Sequence, residues 1–247
     1  WVDTLGPVKI GSPTLLPAKI SKNTVLNAAR SPYLVEDELV VLPGARLTVQ
    51  PGTVIWFRKL GLIVKGELQI NGTEAQPVRF ASLGSNNWKG IFFDKSQTVN
   101  KLQYCRISNA EFGIRSSAST VNLQNCIFQD NVWGIVIDGG KAEIYNSLVR
   151  TSDKIGVAAR KAHLLVKDSV ITENGSGGFI LENSNAQIEQ NNILNNGNWA
   201  IKVVSSANGV KAANNWWGVE NPEQTEIIGQ MTIQPILKMP INFKIAK

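Results

Sequence analysis

The chain has 247 residues, of which only 18% are charged, and its formal net charge is +6, which permits an acidic partner without identifying one. Its apolar runs fall far short of the ~20 residues that a transmembrane helix needs. Two cysteines are too few for a disulfide scaffold or a cysteine-rich zinc protein, and the single histidine, His163, argues against a histidine metal centre or a Ser-His-Asp triad.

The N-terminal segment contains proline and glycine but no repeat, and we expect residues 1–30 to form an extension or cap. The chain begins with Trp1, without the charged and apolar regions of a signal peptide. We therefore expect either a mature protein or a piece of a longer one, such as a larger surface protein.

Short strands separated by turns are predicted for the region that follows. Apolar residues alternate within 39–57, 61–72, 77–82 and 88–93, and Pro-Gly pairs interrupt the first of these stretches. This half of the chain is a less regular version of the repeat that begins at residue 104.

A repeat of about 22 residues occupies the chain from residue 104 onward. Its most regular position is spaced by 21, 22, 22 and 22 residues and is held by Gly113, Gly134, Gly156, Gly178 and Ala200. Apolar residues alternate after each of these positions, which predicts short, half-buried strands. One such unit cannot bury its own apolar face, but stacked units can.

The sequence therefore predicts an all-β fold, a single right-handed parallel β-helix of eight or nine coils with terminal caps. We place this domain at residues 31–218, and the right hand is the one that parallel crossovers generally adopt. Residues 219–247 leave the repeat and are expected to cover the last coil, which would otherwise expose a sheet edge.

One corner of the repeat is rich in asparagine. Asparagine tolerates the left-handed backbone of a tight corner, and its amide can bond to the residues above and below it. We predict a structural ladder formed by Asn125, Asn146, Asp168, Asn191 and Asn214.

Several segments resemble bacterial right-handed parallel β-helix proteins of the pectate-lyase-like superfamily. LPGARLTVQPGT at 42–53, GLIVKGEL at 61–68, PVRFAS at 77–82 and WKGI at 88–91 look like the opening coils of these proteins. NNWWG at 214–218, followed by QPIL at 234–237, is similar to their C-terminal ending. The resemblance implies the right-handed coil and an exported protein. It does not imply an activity, because the superfamily contains lyases, hydrolases, esterases, tailspikes and non-catalytic periplasmic proteins.

Three outward columns are expected on the strand after each corner. The first is the glycine position, the second holds Arg115, Val136, Ala158, Ile180 and Lys202, and the third holds Ser117, Asp138, Arg160, Glu182 and Val204. A smooth, exposed apolar strip is typical of an interaction surface. We therefore predict an interface that consists of Gly134, Val136, Gly156, Ala158, Gly178 and Ile180.

Asp138, Arg160 and Glu182 allow two interpretations. They can form a ladder of alternating surface charges, worth ~0.2–1 kcal/mol for each pair. They are also the catalytic candidates, because carboxylates two coils apart lie ~9.6 Å from each other, at the outer limit for an inverting glycosidase. No aspartate cluster suited to calcium is visible, so we expect no metal site and no cofactor.

Two further columns concern aromatic residues and cysteines. Alternation predicts that Phe112, Trp133, Ile155, Gly177 and Trp199 point inward and pack in the core, with a gap at the glycine; a row of sugar-stacking rings is the alternative. Cys105 and Cys126 lie ~4.8 Å apart on neighbouring coils, within disulfide range. Because side chains on parallel neighbours lie side by side, a poor disulfide geometry, we expect free, stacked thiols.

Basic residues are scattered and no nucleic-acid motif is present, so we expect neither a nucleic-acid partner nor a transmembrane segment. The sequence favours an exported, non-catalytic scaffold in the periplasm or at the cell surface. We expect this scaffold to bind another protein chain, either a second copy of itself or a different protein, through its flat strand face. The alternative is a protein that binds or degrades polysaccharide, as a lyase or hydrolase acting on cell-surface or acidic glycans.

Overall fold

A computed structural model describes residues 12–205, 209–219 and 227–244. Within these residues the regular structure is almost entirely β-strand, with a short 3-10 helix at Ala28–Arg30. The strands wind into a parallel solenoid of about nine turns, which confirms the predicted fold class. The solenoid has three faces, which we call face 1, face 2 and face 3.

Face 1 is a nine-stranded parallel sheet to which each coil contributes one strand. Its strands are β1 (Thr14–Leu15), β4 (Tyr33–Val35), β7 (Val54–Phe57), β10 (Val78–Ser82), β13 (Cys105–Ser108), β15 (Ile127–Gln129), β17 (Leu148–Arg150), β20 (Val170–Thr172) and β23 (Asn192–Leu194).

Faces 2 and 3 belong to one seventeen-stranded sheet that bends through β14 (Ala110–Gln124) and β16 (Trp133–Tyr145), two long strands that contribute to both faces. Face 2 also contains β2 (Lys19–Ile20), β5 (Leu39–Val41), β8 (Leu62–Val64), β11 (Trp88–Asp94), β18 (Ile155–Arg160), β21 (Gly177–Glu182), β24 (Ile201–Ser205) and β26 (Ile227–Ile228). Face 3 also contains β3 (Thr24–Leu26), β6 (Arg46–Val49), β9 (Glu67–Asn71), β12 (Val99–Gln103), β19 (His163–Lys167), β22 (Asn185–Glu189) and β25 (Val210–Lys211).

The core lies between the three faces and is built of columns of like residues. Parallel pairing places an apolar residue directly above its counterpart in the preceding coil, so each column is buried without interruption. Face 1 contributes Phe128, Val149, Ile171 and Ile193; face 2 contributes Ile135, Val157, Phe179 and Ile201; face 3 contributes Leu123, Ile144, Val166 and Ile188.

The solenoid begins earlier than the sequence predicted. Strands β1, β2 and β3 pair in parallel with β4, β5 and β6, so a first coil starts at Thr14 rather than at residue 31. Its strands have only two or three residues, which is too short for alternation to be visible. Residues 1–11 of the expected N-terminal cap lie outside the described residues.

The described part of the C-terminal tail lies against the last coils. Strand β26 pairs with β24, and the backbone N–H of Leu237 donates to the carbonyl of Asn215 at 3.1 Å. The side-chain amide of Asn192 then binds both backbone groups of Ile241, at 2.8 and 3.2 Å. Residues 227–244 thus satisfy backbone and side-chain groups at the end of the solenoid.

The asparagine corner differs from its prediction in one position. Asn125, Asn146, Asp168 and Asn214 adopt the left-handed backbone, with φ between 44° and 56°, and Asn146 donates a side-chain hydrogen bond to Asn125. In the eighth coil the corner is occupied by Gln190, with φ of 56°, and not by Asn191. The placement of Asn191 in this column was wrong, because it followed residue type rather than the length of the coil.

Asn191 belongs instead to a buried ladder one residue further along. This ladder consists of Cys105, Cys126, Ser147, Ser169, Asn191 and Asn215, all of which are at most 1% exposed. From Ser147 onward each side chain accepts a hydrogen bond from the backbone N–H of the ladder residue one coil earlier, at 2.9–3.1 Å. Small polar residues are therefore required here, because they pair backbone donors that the corner leaves without a strand partner.

Candidate functional site

An outward column of side chains runs along face 2 through all of its coils. Direct register pairs connect successive members of this column, which are Lys19, Val40, Ile63, Phe92, Arg115, Val136, Ala158, Ile180, Lys202 and Ile228. Six of them are apolar, point away from the core and are half-buried: Val40, Ile63, Phe92, Val136, Ala158 and Ile180. We call these six residues the apolar strip.

Sequence reasoning found only the C-terminal half of the strip. Val136, Ala158 and Ile180 follow the regular repeat, whereas Val40, Ile63 and Phe92 are separated by 23 and 29 residues. The irregular spacing arises because the N-terminal coils contain longer turns. Alternation within β5, β8 and β11 is the signal that could have identified them.

The glycines of the predicted interface do not lie on this surface. Gly134, Gly156 and Gly178 are buried. A Cβ atom on Gly134 would lie 2.3 Å from the carbonyl oxygen of Gly156, and one on Gly178 would lie 2.5 Å from that of Ala200. Their assignment to the exposed interface was wrong: the backbone approaches the next coil so closely here that it leaves no room for a side chain.

The aromatic side chains Phe112 and Trp133 lie on the outer surface, so the predicted inward orientation of these two residues was wrong. Both are half-buried, and their rings stack with centroids 6.4 Å apart and planes 16° apart. The residues after Phe112, Gly113 and Ile114, are both buried. Two consecutive inward residues break the alternation at the glycine, and the aromatic residue before it is turned outward.

Trp199 also lies on the outer surface, where it is half-buried and covers Gly177, so its predicted inward orientation was wrong as well. Ile155 is 4% exposed and Gly177 is buried. A Cβ atom on Gly177 would lie 2.3 Å from Nε1 of Trp199, so the indole occupies the position expected to be a gap. Trp199 is held there by a 2.9 Å hydrogen bond from Nε1 to the carbonyl of Phe179.

Basic side chains lie over the outward rings. The guanidinium of Arg115 is 5.5 Å from the ring centroids of both Phe92 and Phe112, Lys154 Nζ is 5.1 Å from that of Trp133, and Lys202 Nζ is 4.8 Å from that of Trp199. These cation–π contacts place two positive charges, Arg115 and Lys202, within the outward column and a third, Lys154, beside it.

A shallow groove with a volume of about 370 Å³ follows the C-terminal half of the strip. Val136, Ala158 and Ile180 form its floor, and Phe112 and Trp133 border it on one side. The other side is formed by Asp138, Arg160 and Glu182, which occupy the same position in three successive coils.

Arg160 and Asp138 form a bidentate ion pair. The guanidinium donates to the two carboxylate oxygens at 3.1 and 2.6 Å. This hydrogen bonding lowers the pKa of Asp138 below its ordinary value, which keeps the group ionised and unsuited to act as a general acid near neutral pH. The geometry is that of the charge-ladder interpretation.

The column that contains Asp138, Arg160 and Glu182 extends beyond the groove into the N-terminal coils, with the uncharged Ser117 between its two charged parts. Beside the apolar strip lie Lys65, Asp94, Ser117, Asp138, Arg160 and Glu182, one in each of six successive coils. Lys65 and Asp94 are 3.5 Å apart and form a second ion pair. We call these six residues the charged column.

In the described part of the chain, no three histidine, cysteine, aspartate or glutamate side chains come together in a group that could hold a metal ion. Across the same residues, no helix is long and apolar enough to cross a membrane. Cys105 and Cys126 are free and buried, with their sulfur atoms 3.3 Å apart, as expected for stacked thiols. Burial raises the pKa of the Cys105 thiol, which makes it a poor nucleophile.

The family model described as "Right handed beta helix region" matches residues 68–217, which is more than half of the chain. The chain therefore belongs to the right-handed β-helix family. A stretch of 56 residues, 22% of the chain, is 45% identical to "Protein bark beetle" of Drosophila melanogaster. The aligned stretch spans only 2% of the length of that relative. No solved structure gives a significant match.

Proposed function

We propose that this β-helix protein is a non-catalytic docking protein that binds another protein chain through the apolar strip of face 2. The observation that carries the proposal is the register of the strip, which places six outward apolar side chains in one column of face 2, with Arg115 as the one charged residue between them. Strand spacing of ~4.8 Å makes such a column ~29 Å long from Val40 to Ile180. Apolar surface of this extent, bordered by charges, is characteristic of protein interaction sites.

The floor of the groove favours a protein over a sugar chain as the ligand. Val136, Ala158 and Ile180 present no side-chain hydrogen-bond donor or acceptor, whereas a sugar ring needs partners for its hydroxyl groups. Both carboxylate oxygens of Asp138 are already bound by Arg160. An apolar partner surface would gain ~25 cal/mol for each Å² of apolar area that it covers.

Site-specific photocrosslinking tests this proposal. A benzophenone amino acid replaces Val136 in the strip, and in the control protein it replaces Leu165, a half-buried outward residue of face 3. We expect a crosslinked protein of defined mass from position 136 and none from position 165 when each is irradiated in extract of the source cells, with the partner identified by mass spectrometry. Equal crosslinking from both faces, or none from either, contradicts the proposal.

A second candidate function is binding of an acidic glycan, and the outward aromatic pair favours it. Phe112 and Trp133 offer a stacked platform for a sugar ring, while Arg115 and Lys154 lie over them and could bind a carboxylate or sulfate. Calorimetric titration with uronic-acid oligosaccharides tests it. Trp133→Ala should abolish binding, and Trp56→Ala, which removes a half-buried outward tryptophan of face 1, should not.

The proposed setting is outside the cytoplasm, at the cell surface or in the periplasm, where the sequence resemblance points. Fractionation of the source cells tests this part. Enrichment with cytoplasmic markers would contradict it.

A further inference from the structure

The charged column is complementary to itself when it is read in reverse. In chain order it consists of Lys65, Asp94, Ser117, Asp138, Arg160 and Glu182. Reversed, the column places Glu182 against Lys65, Arg160 against Asp94, and Asp138 against Ser117. A contact between two identical surfaces related by a two-fold axis requires this property. We infer that the partner of the apolar strip is a second copy of this protein, bound in an antiparallel dimer. This inference rests on the docking function proposed above.

A two-fold axis that lies in the interface and runs parallel to the strands produces this arrangement. Such a rotation turns face 2 of one copy onto face 2 of the other, reverses the order of the coils and keeps each column opposite the same column. The axis passes between the coils of Ser117 and Asp138. The outward column has ten members from Lys19 to Ile228, and this axis lies at its midpoint, between Arg115 and Val136, so the two faces overlap along their whole length.

The same axis brings four of the six residues of the apolar strip opposite one another. Phe92, the largest member, meets Ala158 of the second copy, which is the smallest. Ile63 meets Ile180 of the second copy. On the axis, the stacked pair of Phe112 and Trp133 meets the same pair in reverse order, which brings four rings together. Phe92 thus lies opposite a small side chain, while Val136 lies opposite Arg115 and Val40 opposite Lys202 of the second copy, where the aliphatic stems of the two basic residues cover them.

Neighbouring registers are disfavoured by charge. A shift of one coil in one direction places Lys65 opposite Arg160 and Asp94 opposite Asp138 of the second copy. A shift in the other direction places Asp94 opposite Glu182, and Asp138 opposite its own counterpart. Like charges directly opposite each other are destabilising, so the column selects the centred register.

The face is large enough for a stable dimer. Strands β2, β5, β8 and β26 contribute two or three residues each, and at five residues from each of the other coils face 2 presents about 40 residues, or about 630 Å² at ~4.8 by ~3.3 Å per residue. The two copies together would bury about 1,270 Å², at the lower end of the 1,200–2,000 Å² of standard specific interfaces.

A charge-swap experiment tests the pairing of residues 65 and 182. The full chain, Lys65→Glu and Glu182→Lys are measured by light scattering over a dilution series, alone and as an equimolar mixture of the two variants. We expect the wild type to have twice the 27.0 kDa mass of the chain. For each variant alone, we expect a dimer dissociation constant at least tenfold higher than that of the wild type, because the variant homodimer places two pairs of like charges in the interface. The mixture should restore the dimer, because a heterodimer contains only opposite charges at both positions.

Matched controls on face 3 are Lys101→Glu and Glu189→Lys, which should behave like the wild type, and circular dichroism checks that every variant is folded. A wild type that stays monomeric over the series overturns the inference, as do variants that stay dimeric or a mixture that does not restore the dimer. A monomeric wild type that is nevertheless crosslinked from position 136 to a different protein overturns only the second-copy partner. If crosslinking from position 136 also fails, the docking function fails with it.

Discussion

Replacing Asn191 by leucine tests whether the buried ladder stabilises the solenoid. The side chain of Asn191 is fully buried, and its Oδ1 accepts the backbone N–H of Ser169 at 2.9 Å. Its Nδ2 donates to the carbonyl of Val166 and to Oδ1 of Asn215, both at 3.0 Å. Leucine has a similar volume, so the substitution removes these three hydrogen bonds while opening little cavity.

The expected cost follows from the groups left without a partner. The orphaned N–H of Ser169 costs ~1–3 kcal/mol, and each of the other two bonds is worth ~0.5–1.5 kcal/mol net. We therefore expect Asn191→Leu to lower the free energy of unfolding by roughly 2–6 kcal/mol. A loss of this size is a large part of the 5–15 kcal/mol that typically separates folded from unfolded domains.

Urea unfolding followed by circular dichroism measures this change through the midpoint, and an unchanged slope excludes an effect on the compactness of the unfolded state. Gln187→Leu is the control, because the side chain of Gln187 lies in the same coil but is exposed, and its amide donates to Glu189 in the same strand. The control should change stability by less than about 0.5 kcal/mol. A loss below about 1 kcal/mol for Asn191→Leu would refute the view that the ladder satisfies otherwise unpaired backbone donors.

Three other predictions concern the glycine column, the thiols and the ion pair of the charged column. Gly134→Ala should destabilise the fold by ~1–3 kcal/mol in urea unfolding, because its Cβ would lie 2.3 Å from the carbonyl oxygen of the next coil; a neutral effect would show that the coils can separate locally. Cys105 and Cys126 should react with a thiol reagent only after unfolding, giving two thiols per chain; no thiols after unfolding would reveal a disulfide. Asp138 has a folded pKa below its ordinary value of 3.8, so its small stabilisation is present above that value and lost as pH falls through the folded pKa. Asp138→Asn should therefore be less stable than the wild type at neutral pH and equally stable well below pH 3.8, and a difference that persists in acid would contradict this assignment.

The repeat determined the fold, because its period is a property of the chain itself. A unit of about 22 residues with alternating apolar positions and a glycine at constant spacing can bury its apolar face only by stacking, and the parallel pairing of β14, β16, β18 and β21 is the result. The same logic identified Val136, Ala158 and Ile180 as outward residues and placed Asp138, Arg160 and Glu182 in one column, for which a charge ladder was one of two interpretations. Each of these predictions needed only the position of a residue within its own coil.

Predictions were wrong where local geometry departs from the regular repeat. Alternation placed Phe112 and Trp133 in the core, but the backbone turns at the glycine that follows each of them, and two consecutive inward residues turn the rings outward. The glycine column was assigned to the surface because nothing in the sequence shows how closely the next coil approaches. Asn191 was assigned to the corner by residue type, although the 22-residue step from Asp168 leads to Gln190, and Asn191 lies in the buried ladder one residue later.

The candidate interface depends on relations between coils that are distant in the sequence. Val40, Ile63 and Phe92 join the apolar strip, and Lys65 and Asp94 join the charged column, only because turns of unequal length bring them into register with the regular coils. The sequence by itself determined that the chain stacks parallel coils, since that follows from the apolar period of each unit. Outside the regular coils, the tertiary structure alone decided which residues share a surface, because hydrogen bonding between neighbouring strands, and not spacing along the chain, sets the register of each column there.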